Sequence, residues 1–152
     1  MIIHIECLPD ETLLKKLGYT KNQVIHHQGK SRVFGKMKSL IDQVGLIDED
    51  PMSTKHPYEQ HLVAQESAHG ITYLRDAQRN NKVFVLRVKL EDWIISACQA
   101  SHVNAAHFGL PHRPSELHSV INSKINAFEK LLDELLTAKN PNLLTLASWL
   151  HR

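Results

Sequence analysis

The chain has 152 residues, 42% hydrophobic and 22% charged, proportions typical of one globular domain with a real core. Eighteen basic and sixteen acidic residues give a formal net charge of +2, which permits contact with nucleic acid without arguing for it. No apolar run approaches the roughly 20 residues of a membrane-spanning helix. The first residues also lack the basic segment of a signal peptide, so we expect a cytoplasmic protein that does not enter a membrane.

The cysteines and histidines form no recognisable metal motif. Cys7 and Cys98 make no CxxC pair, so the sequence indicates neither a zinc knuckle nor a disulfide framework, and a reducing compartment is expected. The eleven histidines are scattered, and none has the HExxH spacing of a helical zinc site. We interpret most of them as ordinary surface or partly buried side chains.

The first fifty residues alternate between strands and helices. Three short apolar runs are typical of buried strands and lie at residues 1–5, 23–27 and 44–47. Between them, one helix is predicted to open at Pro9 and to stop at Gly18, and a second follows a turn at residues 28–31. The second helix is amphipathic, and its apolar side carries Val33, Phe34, Met37, Leu40 and Ile41.

Such alternation predicts a parallel sheet with right-handed crossovers. All three strands would then end at the same edge of the sheet, which is where ligands bind in open α/β folds. The loops expected at that edge carry Glu6, Gly29-Lys30 and Asp48-Glu49-Asp50.

The middle of the chain continues the α/β pattern less regularly. Residues 51–69 are polar without a clear period and predict a loop with room for one short helix. Residues 71–75 and 83–88 predict strands around a polar turn at Asn80-Asn81, which either pair as a hairpin or let the second strand extend the parallel sheet. A helix is predicted at residues 90–100, with its inward side formed by Trp93, Ile94 and Ala97.

The C-terminal part is predicted to be helical. Ser115 would cap one long helix to about Thr137, and Asn140-Pro141 would separate it from a short last helix. The long helix is most simply a cover for the sheet, and the alternative is that its end, or the Leu-rich tail at Leu143–Leu150, forms an interface for a protein partner or a second copy of the chain. We interpret residues 1–152 as a single α/β domain with three parts: a βαβαβ core at 1–50, a middle part at 51–114 and C-terminal helices at 115–152.

An Asp48-x-Asp50 pair directly follows an apolar strand. Along an extended segment both carboxylates would lie on one side, where they repel each other unless they are protonated or bridged by a cation. Mg²⁺ or Mn²⁺ would relieve that repulsion, with Glu6 as a further ligand or a general base. The alternative is a solvated acidic turn before Pro51, because loops gather Asp for turn formation.

A second feature is the glycine turn that leads into the basic helix. Free backbone N–H groups at a helix start bind anions, and Gly29, Lys30 and Ser31 open this helix. It is not a P-loop, because Val24 stands where that motif has its first glycine. The alternative is a tight turn with a solvated basic face. If it binds phosphate, the cations expected to contribute are Lys30, Arg32 and Lys36.

This order of strand–Glu, helix, strand–Gly, basic helix and strand–Asp-x-Asp resembles the TOPRIM domain of topoisomerases, DnaG-type primases, small RNA-maturation nucleases and overcoming-lysogenization-defect nucleases. The matching segments cover about the first third of the chain and are Ile3 to Glu6 with Asp10-Glu11, Gln28 to Ser31, and Gly45 to Asp50. Residues 88–93 match more weakly. Cys7 stands where the family usually has a glycine.

The resemblance implies a three-layer TOPRIM/Rossmann-like fold, with a mainly parallel sheet between helices and a helical C-terminal segment. It also implies Mg²⁺- or Mn²⁺-dependent phosphodiester chemistry on DNA or RNA, most simply that of a nuclease. The metal would be held by Glu6, Asp48 and Asp50, with Glu6 and Lys30 catalytic. Asp10 and Glu91 would support the ligands, although Glu91 also suits the start of a helix for its charge alone.

Two other functions are compatible with the sequence. One is a non-catalytic TOPRIM-like module that binds nucleic acid or a protein, which Cys7 favours because a Cβ limits how closely a phosphate approaches the backbone. The other is a receiver-like domain that accepts a phosphoryl group. That function requires a late lysine at a strand end, and the candidate, Lys89, precedes a helix, so we rank it last.

Overall fold

A computed structural model describes residues 1–152, which form an α/β fold around one six-stranded mixed sheet. Its strands are β1 (Ile3–Ile5), β2 (Val24–His26), β3 (Val44–Asp48), β4 (Val63–Ala68), β5 (Ile71–Asp76) and β6 (Asn81–Leu86). They are arranged in the order β2-β1-β3-β6-β5-β4. The first four in this order run parallel, and β5 and β4 follow in two antiparallel pairings.

The register of the parallel strands aligns their carboxyl ends. Ile5 lies opposite both His26 of β2 and Leu46 of β3, and Asp48 lies opposite Leu86 of β6. The residues that follow β1, β2, β3 and β6 therefore emerge at one edge of the sheet. The predicted parallel core is confirmed, and β6 fulfils both expectations for its region, since it pairs with β5 as a hairpin and with β3 in parallel.

Helices cover both faces of the sheet. They are α1 (Leu8–Lys16), α2 (Lys30–Met37), α3 (Leu90–Ala100), α4 (Pro114–Val120), α5 (Ile125–Thr137) and α6 (Pro141–Leu150). The larger core packs α1 and α3 to α6 against one face, and the smaller core packs α2 and a 3₁₀ turn at Pro57–His61 against the other. Successive side chains of β3 point to opposite faces of the sheet, so Leu46 packs into the larger core and Ile47 into the smaller one.

Two sequence predictions for chain segments are wrong. The segment at residues 51–69 contains β4, an edge strand whose polar side chains are mostly exposed and which is held by backbone pairing with β5. The long helix is broken into α4, a 3₁₀ turn and α5, and α4 begins at Pro114 rather than after a Ser115 cap. The hydroxyl of Ser123 donates to the carbonyl of Val120 at 2.8 Å, and such bonds compete with the helical pattern.

Several side chains have surroundings that the sequence pattern does not specify. Leu40 and Ile41, which are expected on the apolar side of α2, both lie beyond its end at Met37, and Ile41 is 65% exposed. His4 is fully buried, and both of its ring nitrogens have hydrogen-bond partners, Nε2 of His27 and Oε1 of Gln43, each at 2.8 Å. In α6 the apolar residues pack into the larger core except Leu144, which is 46% exposed. A partner interface on this helix stays a prediction.

A buried polar network fixes the 3₁₀ turn at Pro57–His61 to the β5–β6 hairpin. The hydroxyl of Tyr58 donates to Oδ2 of Asp76 and accepts from the side-chain amide of Asn81, both at 2.9 Å. Arg79 pairs with the same carboxylate at 3.0 Å, and these bonds lower the pKa of Asp76 against the effect of burial. Elsewhere in the chain both cysteines are free, and no helix has the length and apolar character to span a membrane.

Candidate functional site

Glu6 and Asp48 meet at the carboxyl edge of the sheet. Glu6 follows β1 directly, and Asp48 is the last residue of the neighbouring β3. The Oε2 atom of Glu6 accepts a hydrogen bond from the backbone N–H of Asp48 at 2.6 Å. These two acidic residues, far apart in the sequence, therefore converge as the parallel βαβ arrangement predicts.

Asp10 lies directly behind this contact. It is fully buried, and its Oδ2 atom accepts the backbone N–H groups of Glu6 and Cys7, both at 3.2 Å. Cys7 is the N-cap of α1 and Asp10 is its third residue, so this arrangement is a capping box. Asp10 therefore fixes the turn from β1 into α1 and with it the position of Glu6.

The carboxyl groups at this edge interact electrostatically. Burial raises the pKa of Asp48 to about 8, and the negative charges of Asp10, Glu6 and Glu91 add to the effect. Burial also raises the pKa of Asp10 to about 7, with a contribution from Glu6 that hydrogen bonds from Cys7 oppose. Burial raises the pKa of Glu6 as well, against the Asp48 N–H and the charge of Lys30. All three shifts therefore have burial as their main cause, and the neighbouring carboxyl charges add to it.

Asp50 occupies a different position from the one that strand alternation predicts. β3 ends at Asp48, and Asp50 has a φ of 39°, in the left-handed region, so the extended segment does not reach it. Its backbone N–H bonds the carbonyl of Val88 at 2.9 Å, and its charge contributes to the raised pKa of Glu6. Asp50 also lines a cavity of about 360 Å³ on the α2 side, together with Lys30 and Glu49.

The chemistry of these side chains suits a hard cation, but the ligand set is incomplete. Carboxylate oxygens are the ligands that Mg²⁺ and Mn²⁺ prefer, and relief of their mutual repulsion would favour binding. However, no group of three or more His, Cys, Asp or Glu side chains is placed to hold a metal ion. Asp48 also uses Oδ1 to accept the backbone N–H of Leu90 at 3.0 Å, while its Oδ2 accepts no hydrogen bond within the chain.

The predicted phosphate-binding turn adjoins Glu6. Gly29 precedes α2 with a φ of 97°, a conformation that favours glycine. The Lys30 ammonium donates to the carbonyl of Glu49 at 2.7 Å, and the Lys30 backbone N–H helps to lower the pKa of Glu6. The carboxylate of Glu6 therefore already faces the start of α2. The remaining predicted phosphate contacts lie on the exposed side of α2 and are Ser31, Arg32 and Lys36.

Cys7 does not supply a nucleophile at this site. Burial raises the pKa of its thiol, and the nearby charge of Asp10 raises it further, so the thiol stays protonated at neutral pH. Its side chain instead belongs to the capping box that begins α1. The substitution of cysteine for the glycine of the TOPRIM pattern is thus compatible with this turn, in which Cys7 has an extended backbone.

Sequence reasoning missed His118, which lies near this edge on α4. Its Nδ1 atom donates a hydrogen bond at 3.0 Å to Oε1 of Glu91, a residue in the first turn of α3 that is 5% exposed. No local spacing signals this pair, because it depends on how α4 packs on α3. The broken helix after Pro114 creates that packing, and the sequence predicts a continuous one.

Comparison with models of protein families, with curated proteins and with solved structures finds no match for this chain. The fold itself hosts many unrelated activities, so function has to be argued from the geometry and chemistry of the site.

Proposed function

We propose that this chain is a TOPRIM-like domain that hydrolyses phosphodiester bonds in nucleic acid with the help of Mg²⁺ or Mn²⁺. The observation that carries the proposal is the meeting of Glu6 and Asp48 at the carboxyl edge of the sheet, where the backbone N–H of Asp48 donates to Oε2 of Glu6 at 2.6 Å and burial raises the pKa of Asp48 to about 8. Strongly perturbed carboxyls in such a position are typical of functional sites. Ionising these buried carboxyls costs free energy, which a bound divalent cation would offset.

The proposed metal ligands are Glu6, Asp48 and Asp50. Asp48 has an oxygen that accepts no hydrogen bond within the chain, and this atom is the first candidate to contact a cation. A bound cation would supply Lewis-acid polarisation of a phosphoryl oxygen. Asp10 would keep Glu6 in place through its two backbone hydrogen bonds.

The start of α2 would position the phosphate. The Lys30 ammonium and the backbone N–H of Ser31 would bind a phosphate oxygen, and Arg32 and Lys36 would extend the positive surface along the nucleic acid. Glu6, next to Lys30, would take the proton from the attacking water. DNA and RNA both present the phosphodiester that this arrangement addresses, so both are candidate substrates.

Metal binding is the first test. We expect isothermal titration calorimetry to detect Mn²⁺ binding to the wild type and at least a tenfold weaker affinity for Asp48→Asn, which keeps the hydrogen bond to Leu90. The affinity should rise with pH up to about 8, because the cation displaces the Asp48 proton. Asp133→Asn, at an exposed carboxylate on α5, is the matched control and should bind like the wild type. Equal Mn²⁺ affinity of wild type and Asp48→Asn would contradict the proposal.

Cleavage is the second test. Single- and double-stranded DNA and RNA would be incubated with the wild type in Mn²⁺ and in EDTA. We expect cleavage in Mn²⁺ alone, and its loss in Asp48→Asn and Glu6→Gln. A folded wild type that binds Mn²⁺ and cuts none of these substrates would instead support the second candidate function.

That second candidate is a non-catalytic TOPRIM-like module that binds nucleic acid. The incomplete ligand set and the presence of Cys7 where the family has glycine favour it. It predicts salt-dependent binding without turnover, mediated by the basic side of α2. In fluorescence anisotropy, Arg32→Glu with Lys36→Glu should weaken binding and reduce its salt dependence, and unchanged binding would exclude this surface. The control is Lys130→Glu on α5.

A further inference from the structure

A buried carboxylate and an exposed imidazole form a pair beside the carboxyl edge. The side chain of Glu91 is 6% exposed and that of His118 is 65% exposed, and the two are joined by the 3.0 Å hydrogen bond from Nδ1 to Oε1. Because a carboxylate accepts this bond, Nδ1 carries a proton. The other ring nitrogen, Nε2, has no hydrogen-bond partner within the chain and is therefore available to exchange a proton with a bound molecule.

This pair lines an open cavity of about 430 Å³ between α3 and α4. The other ionisable groups that face His118 there are Lys89 and Asp92, and the hydroxyl of Ser115 completes the polar lining. Apart from Pro114, every residue that lines the cavity is polar or charged, so it suits a hydrated, polar ligand such as a sugar–phosphate chain.

The pair also adjoins the proposed metal site. Asp48 accepts the backbone N–H of Leu90, the residue immediately before Glu91. The negative charge of Glu91 contributes to the raised pKa of the Asp48 carboxyl. The cavity around His118 lies between α3 and α4, on the face of the sheet opposite the one that α2 covers, and Asp48 ends the strand between them. A phosphodiester bound at Asp48 with one end towards α2 would direct its other end towards His118.

We propose that His118 is the general acid that protonates the leaving oxygen of the phosphodiester, and that Glu91 orients its ring. This role rests on the proposed function. A carboxylate behind an imidazole fixes the tautomer and ring orientation and leaves the outer nitrogen for proton transfer, an arrangement found on unrelated folds.

The step balances with water as the second reactant. Water adds its oxygen to phosphorus and releases one proton, which Glu6 accepts. The bond between phosphorus and the leaving oxygen breaks, and its electron pair stays on that oxygen. Nε2 of protonated His118 donates the proton that converts this oxygen into a hydroxyl group. The products are a phosphate monoester and an alcohol; Glu6 then releases its proton to solvent and His118 regains one from solvent.

The test compares two leaving groups. A nucleic-acid strand leaves as an alkoxide that needs a proton, whereas p-nitrophenolate, from the p-nitrophenyl ester of thymidine 5′-monophosphate, leaves without one. His118→Gln should lower kcat on DNA by at least ~100-fold and on the p-nitrophenyl ester by less than ~3-fold. Glu91→Gln should show the same selectivity with a smaller loss. The alkaline limb of the wild-type pH–rate profile on DNA should disappear in His118→Gln.

The controls separate this role from the proposed function. His118→Gln should keep the Mn²⁺ affinity and the melting temperature of the wild type, because its side chain is mostly exposed, and His107→Gln, at another exposed histidine, should cleave normally. Equal losses on both substrates, or no loss on DNA, would overturn the acid role while leaving metal-dependent cleavage intact. A wild type that cleaves neither substrate would refute the proposed function, and the acid role with it.

Discussion

In the absence of divalent cations, replacing Asp48 by asparagine should stabilise the folded protein in alkaline solution but not in acidic solution. In the unfolded chain the carboxyl has its ordinary pKa of 3.8, and in the folded chain burial and the charges of Asp10, Glu6 and Glu91 raise the pKa to about 8. Between these values the folded protein holds a proton that the unfolded chain has released. The free energy of unfolding of the wild type therefore falls as pH rises from about 4 to about 8.

The size of the effect follows from the same two values. The difference between a pKa of 3.8 and one of about 8 corresponds to roughly 6 kcal/mol at 1.36 kcal/mol per pKa unit. This is an upper limit, because water that enters around the ionised carboxylate relieves part of the cost. The asparagine side chain in Asp48→Asn would keep an oxygen for the N–H of Leu90 and add an amide that donates towards the neighbouring carboxylates. We expect the variant to be more stable than the wild type by at least ~2 kcal/mol at pH 8.

Urea unfolding in EDTA at pH 4, 6 and 8 measures this difference. The two proteins should have similar free energies of unfolding at pH 4 and diverge as pH rises. Asp133→Asn, at a carboxylate that is 57% exposed and paired with Lys16, should differ little from the wild type at any of these pH values. Parallel pH dependences of wild type and Asp48→Asn would refute the reasoning, because Asp48 would then not hold a proton in the folded state.

Two further predictions concern stability. Tyr58→Phe removes the hydroxyl that donates to the buried Asp76, and chemical denaturation should show a loss of ~1–3 kcal/mol, while a loss below ~0.5 kcal/mol would mean that water replaces the bond. Gly70→Ala should destabilise more than Gly109→Ala in thermal melts. Both glycines have a positive φ, near 72° and 74°, but only at Gly70 would the added Cβ lie 2.9 Å from Cδ1 of Trp93, so equal losses would show that the clash relaxes freely.

The sequence predicts those parts of the fold in which local pattern and tertiary environment agree. β3 can be predicted because a strand buried on both faces needs a continuous apolar run. The start of α1 can be predicted because Pro9 and Asp10 favour the first turn of a helix. β4 cannot be predicted in this way, because an exposed edge strand gains its stability from backbone pairing with β5 rather than from an apolar side.

The candidate site divides along the same lines. The meeting of Glu6 and Asp48 follows from topology alone, since neighbouring parallel strands end at one edge. The position of Asp50 does not, because the chain leaves the extended conformation immediately after Asp48. The hydrogen bond between Glu91 and His118 depends on how α4 packs on α3, which follows from the 3₁₀ turn that separates α4 from α5. No periodicity in the sequence encodes that break.

The capping box at the start of α1 has a practical consequence for protein engineering. Because Asp10 anchors the main chain of Glu6, the placement of that side chain is tied to the initiation of a helix and not to a flexible loop. If the proposed metal site exists, attempts to retune it for a larger ion such as Ca²⁺ would have to lengthen or shorten side chains on β3 and the residues after it. Shifting the end of β1 would disrupt the capping box that begins α1 and so destabilise the start of that helix.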